Sequence, residues 1–80
     1  MNDEIHWRFL EAVYELTDGD PRYGVETIRV CEKAEIPLTN EDGYRVSREL
    51  RNVGLINETG QVGTVVNLTR RGKQAVEENR

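Results

Sequence analysis

The amino-acid sequence predicts a single α+β domain, mostly α, that spans residues 1–80. Apolar side chains recur at helical spacing in three stretches between residues 3 and 53, and turn-forming residues separate the stretches. Residues 55–68 instead alternate apolar and polar side chains around a glycine, which is typical of a β-hairpin. With 80 residues, 36% apolar and 32% charged, the chain has room for one hydrophobic core.

The first helix is predicted over Asp3–Leu16 and carries apolar residues on two sides. Its main stripe comprises Ile5, Phe9, Ala12, Val13 and Leu16. A second line, roughly opposite, comprises Trp7, Leu10 and Tyr14. A helix that is apolar on two sides needs two neighbours. The second neighbour is either the last helix of the same chain or a second copy, and we predict a homodimer interface because aromatic residues are enriched in interface cores.

The second helix is predicted over Tyr23–Glu35, and Pro37 cannot continue it. Its inner side is expected to comprise Thr27, Ile28, Cys31 and Ala34, with Val30 off that stripe. Cys31 is expected to be a small core residue. His6, on the first helix, is expected to be exposed.

The third helix is predicted from an N-cap at Thr39 to about Val53, with Gly54 as the residue that ends it. Its buried stripe is expected to comprise Val46, Leu50 and Val53. The opposite, outward side comprises Glu41, Tyr44, Arg48, Arg51 and Asn52, and its shoulders comprise Asn40, Arg45 and Ser47.

A hairpin is predicted from strands at residues 55–58 and 62–68, joined by a turn at Thr59-Gly60-Gln61. We expect Ile56, Val66 and Leu68 to be at least partly buried. The last helix is predicted over Arg70–Glu78, with Thr69 as its N-cap and with Ala75 and Val76 pointing inward.

Charge divides the chain into two unlike halves. Residues 1–43 hold 4 basic and 11 acidic side chains, whereas residues 44–76 hold 6 basic and 2 acidic ones. The net charge of −4 therefore hides a basic second half. A basic face says more about binding to nucleic acid than the net charge does.

Two stretches resemble the winged helix-turn-helix family. The first is TNEDGYRVSRELRNVGLI, from Thr39 to Ile56, which is similar to a recognition helix that leads into the wing; the second is VNLTRRG, from Val66 to Gly72. Both are similar to MarR-type and related regulators. The resemblance implies a three-helix bundle, a two-stranded wing and a short C-terminal helix. It also implies a transcription regulator that inserts its third helix into the major groove of double-stranded DNA, as a homodimer.

The outward side of the third helix has the side chains that such a contact needs. Arginine can bind guanine, and asparagine can bind adenine, through two hydrogen bonds each. The N-terminal part of a recognition helix meets the base edges. The residues predicted to read bases are Asn40, Tyr44 and Arg48. Ser47 lies beside them, and the residues predicted to hold phosphates are Arg45, Arg51, Arg70, Arg71 and Lys73.

Other functions have less support in the sequence. One histidine, one cysteine and one serine, with no glycine-rich phosphate loop, argue against an enzyme, a metal site or a cofactor. No apolar run reaches the roughly 18 residues of a membrane span, and the single cysteine favours a reduced, cytoplasmic compartment. Two alternatives stay open: a winged helix that binds proteins through its acidic half or through its aromatic patch, and an excisionase-like architectural protein that binds DNA.

Overall fold

The computed structural model of the chain describes residues 4–37, 42–60 and 64–80. In these ranges the chain forms four α-helices and one three-stranded antiparallel sheet. Their order is α1 (Glu4–Leu16), β1 (Val25–Glu26), α2 (Thr27–Ala34), α3 (Asp42–Asn52), β2 (Ile56–Thr59), β3 (Val65–Leu68) and α4 (Arg70–Glu78). The prediction of a mostly helical α+β domain is confirmed, with one strand more than expected.

The sheet places β3 between β1 and β2. In the predicted hairpin, Ile56 lies opposite Leu68 and Thr59 lies opposite Val65. The side chains of Ile56, Val66 and Leu68 are no more than 1% exposed, so their predicted burial is confirmed. Gln61 and Val62, which were expected in the turn and at the start of the second strand, lie outside the described residues.

The predicted start of the second helix is wrong. Val25 and Glu26 are extended and pair with β3, so α2 begins at Thr27 instead of Tyr23. The backbone N–H of Thr27 donates to the Thr64 carbonyl at 2.9 Å, which draws this segment into the sheet. Pairing between residues distant in sequence has overridden the local pattern.

The inner face of α2 is also rotated from its predicted position. Val30, which was expected off the stripe, is fully buried, whereas Ile28 is 47% exposed. The buried residues of this helix are Thr27, Val30, Cys31 and Ala34. They follow the i, i+3, i+4, i+7 spacing of one helical face. Counted from Thr27, the first residue of the helix, this spacing identifies the buried face correctly.

The core lies between α1 and the other elements. α1 packs against α2, α3, α4 and β3, so both of its apolar sides are covered within one chain. The largest fully buried side chains are Phe9, Leu10, Leu50, Ile56 and Leu68. The expected two-sided burial of this helix is therefore provided by its own domain.

Cys31 lies in this core with no exposed surface, as predicted. Burial raises the pKa of its thiol to about 11, because the thiolate would lose its hydration. We expect Cys31 to resist alkylation at pH 8 in the folded protein and to react after unfolding in urea, since the thiolate is the reactive form. Mass spectrometry against a glutathione control measures the labelling; rapid labelling of the native protein would contradict the buried position.

One junction fastens α4 to the end of α3 and to the base of the hairpin. The Thr69 hydroxyl donates to the Gly54 carbonyl at 2.7 Å and accepts from the Gly72 N–H at 3.0 Å, which confirms it as the N-cap of α4. The Thr69 N–H donates to the Leu55 carbonyl at 3.2 Å. Gly54, from the first stretch that resembles the winged-helix family, therefore lies beside Thr69 and Gly72 of the second stretch.

Candidate nucleic-acid interface

α3 is anchored to the core by Val46 and Leu50, both fully buried. Val53, the third member of its predicted stripe, is 48% exposed, so that prediction is wrong. The Leu55 N–H donates to the Leu50 carbonyl and the Gly54 N–H to the Arg51 carbonyl, which is the Schellman arrangement at a helix end. Gly54 has the positive φ of 82° that this turn requires, as predicted. The turn brings Leu55, in place of Val53, against the core.

The predicted base-reading residues have different positions in the structure. Asn40 lies outside the described residues, as does the predicted N-cap Thr39. Tyr44 is half-buried on the first turn of α3, and Arg48 is exposed one turn further on. Within the described part of the chain, Arg48 makes no hydrogen bond or ion pair. Its guanidinium is therefore available to a ligand.

Arg45 is bound by carboxylates of its own helix. Its guanidinium lies 3.0 Å from Glu49 Oε1 and 3.8 Å from Asp42. Glu49 Oε1 also accepts a hydrogen bond of 2.8 Å from His6 Nε2 of α1. The bond from His6, and to a lesser degree the charge of Arg45, lowers the pKa of the Glu49 carboxyl.

His6 is therefore not the exposed residue that was expected, since it is only 6% exposed. It precedes Phe9, Leu10 and Val13 by three, four and seven residues, so helical spacing places it on the same buried face. That spacing was the available signal, and the polarity of the imidazole obscured it. In the structure, His6 connects α1 to the outward side of α3.

Ser47 and Arg51 both contact a carboxylate of the hairpin. Ser47 is fully buried, and its hydroxyl donates to Glu58 Oε2 at 3.0 Å. Arg51 Nε lies 3.4 Å from Glu58 Oε1. The predicted DNA contact by Ser47 is corrected here: the hydroxyl points inward and links α3 to β2.

The basic residues of α4 lie at the base of the hairpin. Arg70 and Arg71 are exposed and Lys73 is half-buried, and none of them forms an ion pair within the described ranges. The Arg71 Nη1 atom lies 3.3 Å from the point that a Cβ on Gly54 would occupy, at the C-terminal end of α3. Four strand residues, about 13 Å, separate this end of the hairpin from its turn. The structure thus keeps this cluster away from the tip of the hairpin.

The outward side of α3 and the adjoining strand carries balanced charge among the described residues. Its cations are Arg45, Arg48 and Arg51, and its anions are Asp42, Glu49 and Glu58. Five of these six take part in ion pairs, Asp42 and Glu49 with Arg45, and Glu58 with Arg51. Helical spacing alone places Asp42 and Glu49 beside Arg45, whereas Glu58, the partner of Arg51, becomes visible only in the fold.

The three residues predicted to form a dimer interface are used largely within one chain. Leu10 is fully buried and has no surface to offer to a partner. The Tyr14 hydroxyl donates to Glu77 of α4 at 3.0 Å, and the Arg80 guanidinium lies 4.5 Å from the centre of its ring. Trp7 is half-buried against the core. Tyr14 therefore contacts the last helix of its own chain, which was the alternative to a dimer interface.

Two further structural properties concern other kinds of site. The described residues contain no group of three or more histidine, cysteine, aspartate or glutamate side chains that could hold a metal ion. Nor do they include a helix that is long and apolar enough to cross a membrane.

Comparison with protein families, curated proteins and solved structures yields no significant match.

Proposed function

We propose that this chain is a winged-helix DNA-binding domain that acts as a transcription regulator and places α3 in the major groove of duplex DNA. Three helices followed by an antiparallel hairpin, with α4 closing the domain, are compatible with that class. In it, α3 corresponds to the recognition helix, and the hairpin of β2 and β3 corresponds to the wing.

The observation that carries the proposal is the position of Arg48. It stands exposed on a helix whose opposite side is fixed in the core, and it has no partner among the described residues. An exposed arginine on a helix that is anchored in the core suits recognition of guanine, whose O6 and N7 atoms accept two hydrogen bonds from one guanidinium. Tyr44 lies one turn away and offers an aromatic ring and a hydroxyl group to the same groove.

The cations at the start of α4 support a second type of contact. Arginine and lysine at a helix N-terminus oppose the helix dipole, so helix stability does not account for Arg70, Arg71 and Lys73 there. We propose that these residues bind backbone phosphates. Such contacts position a protein on DNA but carry no base sequence directly.

The test is titration of random duplex DNA at two salt concentrations, followed by titration of a duplex selected by the protein from a random pool. The logarithm of the binding constant should fall with the logarithm of salt by about 0.9 for each phosphate contact. Arg48→Ala should lose about 1–3 kcal/mol on the selected duplex and relax preference at one or two base pairs. Arg71→Ala should weaken both duplexes equally and reduce the salt slope by about 1.

Arg80→Ala is the matched control for Arg48→Ala. It removes the same charge beside Tyr14 and Glu15, eight or more residues along α1 from the contact of His6 with α3. It should leave the preference for the selected duplex unchanged. Absence of binding at low salt would refute DNA binding, and equal losses in the two variants would remove Arg48 from sequence recognition.

A protein-binding winged helix is the second candidate, and the pairing of Arg45 and Arg51 favours it. Both arginines contact carboxylates of the same chain, which leaves the α3 side electrically balanced. In that case the acidic first half would bind a basic partner, and the titrations above would show no DNA binding. Assembly as a homodimer stays a prediction under either candidate, and Trp7 and Tyr14 are the members of the predicted interface that are only partly buried.

A further inference from the structure

We propose that Glu49 and Glu58 limit the affinity of this surface for DNA of any sequence by withholding Arg45 and Arg51 from phosphates, so that Arg48 is the described α3 arginine that meets DNA unpaired. The inference rests on the proposed DNA-binding function. It assigns a role to two carboxylates that oppose DNA binding, on the side of the helix that is proposed to face DNA.

Glu58 is held in place more firmly than an ordinary surface carboxylate. Its side chain is only 9% exposed, and each of its oxygens has a partner, Ser47 Oγ at 3.0 Å and Arg51 Nε at 3.4 Å. A nearly buried carboxylate that loses its cation keeps an uncompensated charge in a poorly solvated site. If Arg51 moved to a phosphate, the Glu58 carboxylate would lose its cation. We therefore expect the Arg51–Glu58 pair to persist when DNA binds.

Glu49 is fixed from the other side, through α1. The same oxygen, Oε1, lies 2.8 Å from the buried His6 and 3.0 Å from Arg45. Because His6 holds this oxygen, Glu49 cannot swing away when an anion approaches Arg45. A phosphate that approached Arg45 would also be repelled by the Glu49 carboxylate 3.0 Å from that guanidinium, which offsets part of the attraction.

These two pairs act mainly on binding that ignores base sequence. Affinity for random DNA comes from cations that displace counterions at phosphates, and a neutralised arginine contributes little to it. Because phosphate contacts carry no base sequence directly, the two pairs should lower the affinity for random and selected duplexes alike. Arg48, which has no such partner among the described residues, keeps its charge for a base edge.

The test compares Glu49→Gln and Glu58→Gln with the native chain on random duplex DNA at two salt concentrations. Glu58→Gln should steepen the salt slope by about 0.9 and bind about eightfold more tightly at 0.1 M salt, which is one added phosphate contact. Glu49→Gln should change both in the same direction but by less, because Asp42 stays 3.8 Å from Arg45. The gain on the selected duplex should be equal, because an added phosphate contact carries no base sequence directly. Glutamine at 58 keeps an oxygen that can accept from Ser47, and melting curves verify that both variants fold.

Two controls separate local release of an arginine from the general loss of a negative charge. Glu11→Gln removes one exposed carboxylate on α1 that makes no ion pair with a described residue, and it should change neither slope nor affinity. Arg51→Gln combined with Glu58→Gln has the net charge of the native chain and should return to native affinity. The gain of Glu58→Gln must therefore disappear when Arg51 is absent.

The outcomes distinguish this inference from the proposed function. If the native chain binds DNA through Arg48 and both glutamine variants behave like Glu11→Gln, the inference is refuted and the function stands. If the gain persists in the double variant, Arg51 is not the residue that Glu58 withholds, and the inference is again refuted. If neither the native chain nor any variant binds DNA at low salt, the function itself fails.

Discussion

Replacement of Gly72 by alanine should lower the melting temperature by at least about 10 °C. A Cβ at this position would overlap with the carbonyl oxygen of Leu55 and would lie 3.0 Å from the carbonyl carbon. Those atoms are backbone and cannot rotate away, so α4 must move from the base of the hairpin. We expect a loss of about 3 kcal/mol, after the gain of roughly 1 kcal/mol that alanine brings to a helix interior.

Gln74→Ala is the control for this substitution, because it changes an exposed residue of the same helix. Its effect should stay within about 0.5 kcal/mol. Thermal unfolding followed by circular dichroism measures both variants. A melting temperature of Gly72→Ala that matches the native value would show that α4 does not press on Leu55 as the structure has it.

Leu50→Ala should cost about 3 kcal/mol, which corresponds to about 15 °C in melting temperature for a domain of this size. Leu50 is fully buried and anchors α3, so the truncation leaves a cavity behind the proposed recognition helix. Val53→Ala, one turn further along, should cost less than about 0.5 kcal/mol because Val53 is 48% exposed. Urea unfolding gives the two free energies.

The comparison of these two residues separates the structure from the apolar pattern of the sequence. The pattern placed Leu50 and Val53 on one buried stripe and would assign both a large effect. The Schellman turn at Gly54 places Leu55 at the core in place of Val53. A loss of 2 kcal/mol or more in Val53→Ala would favour the longer helix and contradict the turn.

The elements whose signals are local could be predicted closely. The bounds of α4 and its Thr69 cap, the burial of Ile56, Val66 and Leu68, and the end of α3 at Gly54 follow from spacing, capping and turn residues. β1 could not be predicted, because its two residues become a strand only through pairing with Val65 and Val66. Because β1 was missed, the start of α2 was placed too early and its buried face was predicted incorrectly.

The composition of the candidate site could be predicted, and i,i+4 spacing also gives the Arg45–Glu49 pair, but the Arg51–Glu58 pair could not be predicted. Helical spacing identified Arg45, Arg48 and Arg51 as neighbours on one side. Glu58 lies on another element, and its contact with Arg51 depends on how the hairpin packs against α3. His6 could have been found from its spacing to Phe9 and Val13, since burial follows helical phase for a polar residue as well.

The pairing of β1 with β3 also bears on the order in which the domain folds. Val25 and Val66 are 41 residues apart in sequence, whereas Ile56 and Leu68 of the hairpin are only 12 apart. Closing the longer loop costs more chain entropy, and the pairing of only two strand residues offsets little of that cost. We therefore expect the hairpin to form early and β1 to join it late. By the same reasoning, we expect β1 to detach from β3 before the helices unfold. The edge of β3 would then be exposed transiently without unfolding of the whole domain.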